Sequence, residues 1–299
     1  MSAEPRRVVV TGATAGLGYF AAEALAARGH RVVLAARSAE RAVRASDAIR
    51  ARVPGALLET VDLDLADLAS VRTGASAITA GGPVDVLLAN AGVVGSRRRQ
   101  LTADGHELQF GTNHLGHFAL VAHLLPALRS APAGRVVHLG SISHRFVRLD
   151  LDDPMMEYHY TGAVAYALSK LAVMTFGFEL DRRLRAAGSS VTSVVAHPGL
   201  SLESLSDARP PVVEPHRPPA VLTSMLHAVA QGKEVGAEPL VQAAVGDGVG
   251  GGEYLGPAGW FQLTGAPALV RAKPHARDAS TAEALWSLSA RATSTDPAP

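Results

Sequence analysis

No cysteine occurs in the 299 residues. Disulfides, thiolate metal sites and cysteine nucleophiles are therefore excluded, and the redox compartment stays open. A dominant charge is also lacking. Lys and Arg number 28 against 27 Asp and Glu, for a formal net charge of +1. No long-range field of one sign is available to draw nucleic acid or an anionic membrane, so neither is expected as a partner. No run reaches the ~18 uninterrupted apolar residues that a spanning helix requires. Met1 to Arg7 is short and polar, without the apolar core of a secretory signal, so a cytoplasmic location is the expectation. The chain is 47% apolar and 18% charged. That suits a globular protein able to bury a large core without staples.

Short β-branched runs alternate with longer helical stretches. Strands are expected at Val8–Val10, Val32–Ala35, Leu57–Val61, Val84–Ala89, Arg135–Leu139 and Val191–Ala196. Between them lie helices over Leu17–Arg28, Ala39–Arg52, Asp67–Ile78, Leu108–Arg129 and Ala163–Ala187. This rhythm of nearly continuous apolar strands predicts one domain, a doubly wound parallel α/β sheet covered on both faces. The alternation breaks over Leu200–Pro219, which holds five prolines. It reads either as a lid over the crevice at the strands' carboxyl ends or as a variable surface loop. A helix near Ala220–Gln231, Gly-rich turns, a short strand at Glu253–Leu255, a helix over Ala279–Arg291 and a frayed tail from Ala292 complete the expectation.

Directly after the first strand stands Thr11-Gly12-Ala13-Thr14-Ala15-Gly16-Leu17-Gly18. Glycines there permit a tight turn and close approach of backbone to a pyrophosphate, which the following helix N-terminus favours. Tyr166 and Lys170, four residues apart, share one face of a helix. A free phenol titrates near ~10, and a neighbouring ammonium is expected to lower that value. Ser141, at the end of the fifth strand, is placed to donate to an oxygen on which charge develops. His114, His117 and His123 lack the regular spacing and acidic third ligand of a zinc helix, so no metal is expected.

The glycine turn has the spacing G-x-x-x-G-x-G. With Asn90-Ala91-Gly92, Asn113, Gly140-Ser141, Tyr166 through Lys170 and His197-Pro198-Gly199, it resembles the short-chain dehydrogenases/reductases in order and spacing over about Arg7 to Gly199. The resemblance implies a nicotinamide dinucleotide held by Gly12, Thr14, Gly16, Leu17, Gly18, Asn90, Ala91, Gly92, Tyr166, Lys170, Pro198 and Gly199. It implies that Asp64 and Leu65 contact adenine, although Asp62 lies two residues away and either acid could simply cap a turn. It implies that Ser141, Tyr166 and Lys170 react, with Asn113 holding a water that links Lys170 to solvent. Ser141 and Asn113 read equally as caps or core partners if taken alone.

Cofactor choice is argued from charge. Leu34-Ala35-Ala36-Arg37-Ser38 lacks the acid that binds a ribose 2′-hydroxyl and offers Arg37 where a 2′-phosphate would lie, which favours NADP.

Two departures stand out. Twenty-four residues separate Ser141 from Tyr166, an interval that resembles the branch of retinol dehydrogenases and protochlorophyllide reductases. The insertion, roughly Arg145 to Gly162, is expected to border the substrate. Glu203 stands where the family often has a threonine that contacts the nicotinamide, with Ser201 or Ser204 as substitutes. The expected activity is hydride transfer between NADP(H) and a carbonyl/alcohol pair. The expected substrate is a hydrophobic or aromatic small molecule, met by Phe146, Met155, Met156, Tyr158, Tyr160, Leu200 and Leu202. Carbon–carbon double-bond reduction and a catalytically silent cofactor-binding regulator remain alternatives, as does assembly into a homo-oligomer.

Overall fold

The computed structural model describes residues 5–298 except 96, 217, 220–222 and 224–225. Eight strands form one sheet: β1 Arg7–Thr11, β2 Arg31–Ala36, β3 Leu58–Asp62, β4 Val86–Ala89, β5 Arg135–Leu139, β6 Thr192–Ala196, β7 Tyr254–Pro257 and β8 Pro267–Leu269. Their order is β3-β2-β1-β4-β5-β6-β7-β8. All neighbours are parallel except β7 and β8. The antiparallel β8 was not anticipated. The short connection before it, 258–266, cannot carry the crossover that a parallel strand requires.

The strands of the centre are apolar on both pleats because both faces are covered. Val8 and Val10 pack on one side with helices α1 (Gly16–Ala27), α2 (Ala39–Arg52) and α6 (Lys233–Val245). Val9 and Val33 pack on the other with α3 (Leu68–Ala80), α4 (Gly116–Arg129) and α5 (Gly162–Ala186), outside which lies α7 (Ala279–Thr293). Each fully buried Leu, Val or Phe side chain contributes roughly 1.5–3 kcal/mol of transfer free energy. α5 is long and apolar enough by composition to cross a membrane. However, 83% of its most apolar window is buried inside the protein, and a Cβ on Gly177 would lie 2.9 Å from the His138 ring of β5.

α6 takes the place of the Gly-rich turns expected after residue 231. Gly232 caps it and Pro239 lies within it, and these residues disguise it in the sequence. Of the helix expected at Ala220–Gln231, residues 220–222 and 224–225 lie outside the described residues. Gln231 pairs as a bridge with Ser201. The described part of the proline-rich segment is fastened down. Arg209 pairs with Glu23 of α1 at 2.9 Å and lies over the Phe20 ring, while Val213 is in the core. Past α7, Asp296 accepts from Trp286 Nε1 at 2.9 Å.

Candidate active site

The carboxyl ends of six strands meet at one cavity of about 650 Å³. In an open α/β sheet this edge, where the strand order reverses between β1 and β4, is where ligands sit. One end of the cavity is the glycine turn. Gly12 and Gly16 have φ of +67° and +55°, which favours glycine. A Cβ on Gly12 would lie 2.9 Å from Ala91 Cα, and one on Gly18 would lie 2.4 Å from the Gly12 carbonyl oxygen. Ala15, the residue before α1, gives no side-chain cap, so the first amides of α1 are left to face the cavity.

Thr11 ties this turn to the fourth strand's loop. Its hydroxyl accepts from Asn90 N and Ala91 N, both at 2.9 Å. Its own proton is therefore free to go to His117 Nε2 at 2.9 Å, nearer than the Leu88 carbonyl at 3.4 Å. The other ring nitrogen, Nδ1, then donates to the Asn113 carbonyl at 2.9 Å. Burial pushes His117 down to about 4, so the ring is neutral. His114 Nε2 pairs with Ser289 Oγ at 2.7 Å, while its buried Nδ1 has no protein partner among the described residues.

Asn113 lies in a π-helical turn, Phe110–Leu115, that leads into α4. Its amide brackets the loop after β4: Oδ1 accepts from Val93 N at 2.8 Å and Nδ2 donates to Val93 O at 3.1 Å. Nδ2 also donates to Ser169 Oγ at 2.9 Å. Asn113 does not line the cavity wall, but it lies beside Lys170. A Cβ on Gly92 would meet Asn113 Oδ1 at 3.1 Å and Lys170 Nζ at 3.5 Å.

Ser141, Tyr166 and Lys170 all line the cavity. Ser141 caps the short helix Ile142–Phe146 and its Oγ accepts from Ser143 N. Ser143 Oγ lies 3.0 Å away as a second donor, which leaves the Ser141 proton to point elsewhere. Lys170 Nζ donates to the Leu139 carbonyl at 3.0 Å and stands 5.9 Å from the centre of the Tyr166 ring. One expectation is corrected here. The Tyr166 phenol is not lowered. Burial raises it, Ser141 opposes that rise, and Lys170 is itself pushed down to about 8 by burial. Desolvation is the leading cause for both groups, since burial disfavours the charged form of each.

At the far end of the cavity Arg37 and Ser38 follow β2, joined by Arg41 one turn into α2. Asp64 and Leu65 line the wall between. Asp64 Oδ1 also accepts from Ala66 N at 2.9 Å, so this acid both faces the cavity and closes a turn. Asp62 ends β3. Gly12, Thr14, Gly16, Leu17, Gly18, Asn90, Ala91, Gly92, Pro198 and Gly199 complete the wall, so every expected cofactor contact meets there. Buried Asn90 Oδ1 and Thr112 Oγ1 have no protein partner among the described residues. The glycine cradle, the uncapped amides and two arginines offer donors to phosphate, and Asn90 Oδ1 and Thr112 Oγ1 are left to pair with hydroxyl or amino groups, a combination that fits a dinucleotide.

Several residues were not foreseen as cavity lining: Arg41, Ser38, Thr11, Val93, Ile142 and Lys233. Arg41 follows Arg37 by four positions on the helix start, a spacing that could have flagged it. Lys233 carries no local signal. Of the apolar residues expected around the substrate only Leu200 lines the cavity. Phe146 and Tyr158 are more than 80% exposed. Met155 packs on the core beside Phe110, and the Tyr160 hydroxyl donates to Glu107. Ser201 lines the wall and donates to the Pro198 carbonyl at 2.8 Å, whereas Glu203 pairs with Lys233.

A family model described as short chain dehydrogenase matches residues 6–206. Retinol dehydrogenase 13 of Homo sapiens is 35% identical over 290 residues, 96% of this chain and 84% of that protein. Polyprenol dehydrogenase of Mus musculus is 43% identical over 203 residues, 66% of this chain and 60% of that protein. A crystal structure of an uncharacterized protein from Mycobacterium Paratuberculosis superposes with a TM-score of 0.78 at 37% identity, covering 98% of this chain and 95% of the other. Matched residues, sheet order and site geometry lead to one assignment: the chain belongs to the short chain dehydrogenase family of nicotinamide-dependent oxidoreductases, on its retinol dehydrogenase-like branch.

Proposed function

We propose that this protein reduces an apolar aldehyde or ketone with NADPH, using Tyr166 as proton donor. One observation carries the reading. Tyr166, one helical turn from Lys170, opens together with Ser141 into the same cavity as the glycine turn and the two arginines. When bound, the nicotinamide supplies the hydride that the carbonyl carbon receives. The remaining work belongs to the chain. Ser141 Oγ donates to the carbonyl oxygen and steadies the charge that grows there. Tyr166, kept protonated by burial, gives that oxygen its proton. Lys170, held against Leu139 O, refills the phenol. Asn113 fixes the loop that closes Lys170 in.

The preference for NADPH rests on Arg37 and Arg41, which offer a doubly basic pocket where β2 ends without an acid. An apolar substrate is supported by Leu200, Val93, Val94 and Ile142, which line the same cavity as Tyr166. The names of the relatives point to the same chemical class.

The test follows loss of NADPH absorbance against apolar aldehydes, ketones and an enone, repeated with NADH and with Arg37→Ala. Turnover of the carbonyls is expected, with Arg37→Ala losing at least about tenfold in affinity for NADPH and little for NADH. Reduction of the enone alone would contradict the carbonyl assignment. Equal losses for both cofactors would remove Arg37 from the phosphate.

A further inference from the structure

The first residue of α6 reaches the glycine turn from the distant end of the sequence. Lys233 lines the cavity, and a Cβ on Gly16 would lie 3.3 Å from its Nζ. Its position is built by the backbone. Lys233 N donates to Ser206 Oγ at 2.9 Å. Gln231 N donates to Leu200 O and Leu202 N to Gln231 O, both at 2.9 Å. The Gln231 side chain donates to Pro198 O at 2.9 Å. The segment that follows Pro198-Gly199 is thus zipped to the start of α6, and the ammonium is delivered to the uncapped amides of α1. There it meets Glu203, whose Oε2 is 2.6 Å away.

We propose that Lys233 is a ligand for the diphosphate of the dinucleotide, and that Glu203 is the partner it leaves when that diphosphate binds. The inference rests on the dinucleotide reading above. The Glu203 side chain is 52% exposed, and so open an ion pair is a weak competitor. A diphosphate seated on the α1 amides offers two charges and a less hydrated setting, and charge-assisted hydrogen bonds are stronger there. Glu203, left in place, would repel the same diphosphate. This also gives the glutamate a role away from the nicotinamide.

The test is the affinity of purified full-length protein for NADPH, NADH and 2′-AMP, read by titration without substrate. 2′-AMP carries the 2′-phosphate and no diphosphate. Lys233→Met is expected to weaken NADPH and NADH alike by about tenfold, leave 2′-AMP unchanged and be rescued largely by Lys233→Arg. Glu203→Gln breaks the same ion pair but frees the lysine, so it is expected to tighten both dinucleotides. A merely structural pair would make the two variants weaken together. That result, or unchanged dinucleotide affinity in Lys233→Met, overturns the proposal. Wild-type protein that binds neither dinucleotide overturns the dinucleotide reading, and this inference with it.

Discussion

Tyr166 and Lys170 are displaced by burial in opposite senses, and both displacements suit reduction. A phenol raised above its ordinary value stays protonated at neutral pH, ready to give its proton away. An amine lowered to about 8 can lose its proton near neutrality and so refill the phenol. The sign for activity follows. If Lys170 supplies the proton that the proposed reduction consumes, it carries that proton below about 8 and has lost it above. The reductive kcat/KM for NADPH, which reports the free enzyme, is expected to fall as pH rises through about 8. A profile flat to pH 10 would contradict the assignment. The four-residue spacing of this pair was legible in the sequence, as were Ser141 and Asn113. The direction of the phenol's shift was not, because spacing says nothing about how much water the fold removes.

At the scale of elements, the turn between β1 and α1 shows what a glycine spacing buys. Gly18 lies so close to Gly12 that an added Cβ would meet the Gly12 carbonyl and the Asn90 side chain, each at 2.4 Å. Backbone cannot yield there as a flexible side chain would. Gly18→Ala is expected to cost about 1–3 kcal/mol in denaturant unfolding. Unchanged stability would mean that the turn is looser than its geometry. The strand-turn-helix context made this element readable, and the alternation of apolar runs placed β1 through β6 and α1 through α5. What escaped had physical reasons. α6 carries Pro239 and follows Gly232, so local propensity argued against it. β8 has three residues and one neighbour, too little for a pattern. The insertion after Ser141 looked like pocket, yet Met155 and Tyr160 are used up in packing and in a hydrogen bond to Glu107.

Across the whole molecule, the sheet gathers at one edge residues that the sequence scatters. Arg41 and Lys233 reach the cavity through α2 and α6, and no window of sequence contains both the glycine turn and Lys233. One network, from Thr11 through His117 to Asn113, runs between the cofactor turn and the wall around Lys170. In the proposed reading, cofactor grip and proton delivery are separate tasks held by one scaffold, and a single substitution is expected to part them. The most direct measurement compares Tyr166→Phe with wild type, reading NADPH affinity by titration and carbonyl reduction by loss of NADPH absorbance. The variant is expected to bind NADPH as wild type does and to lose turnover by a factor of at least ~100. Wild-type turnover in that variant would contradict the account.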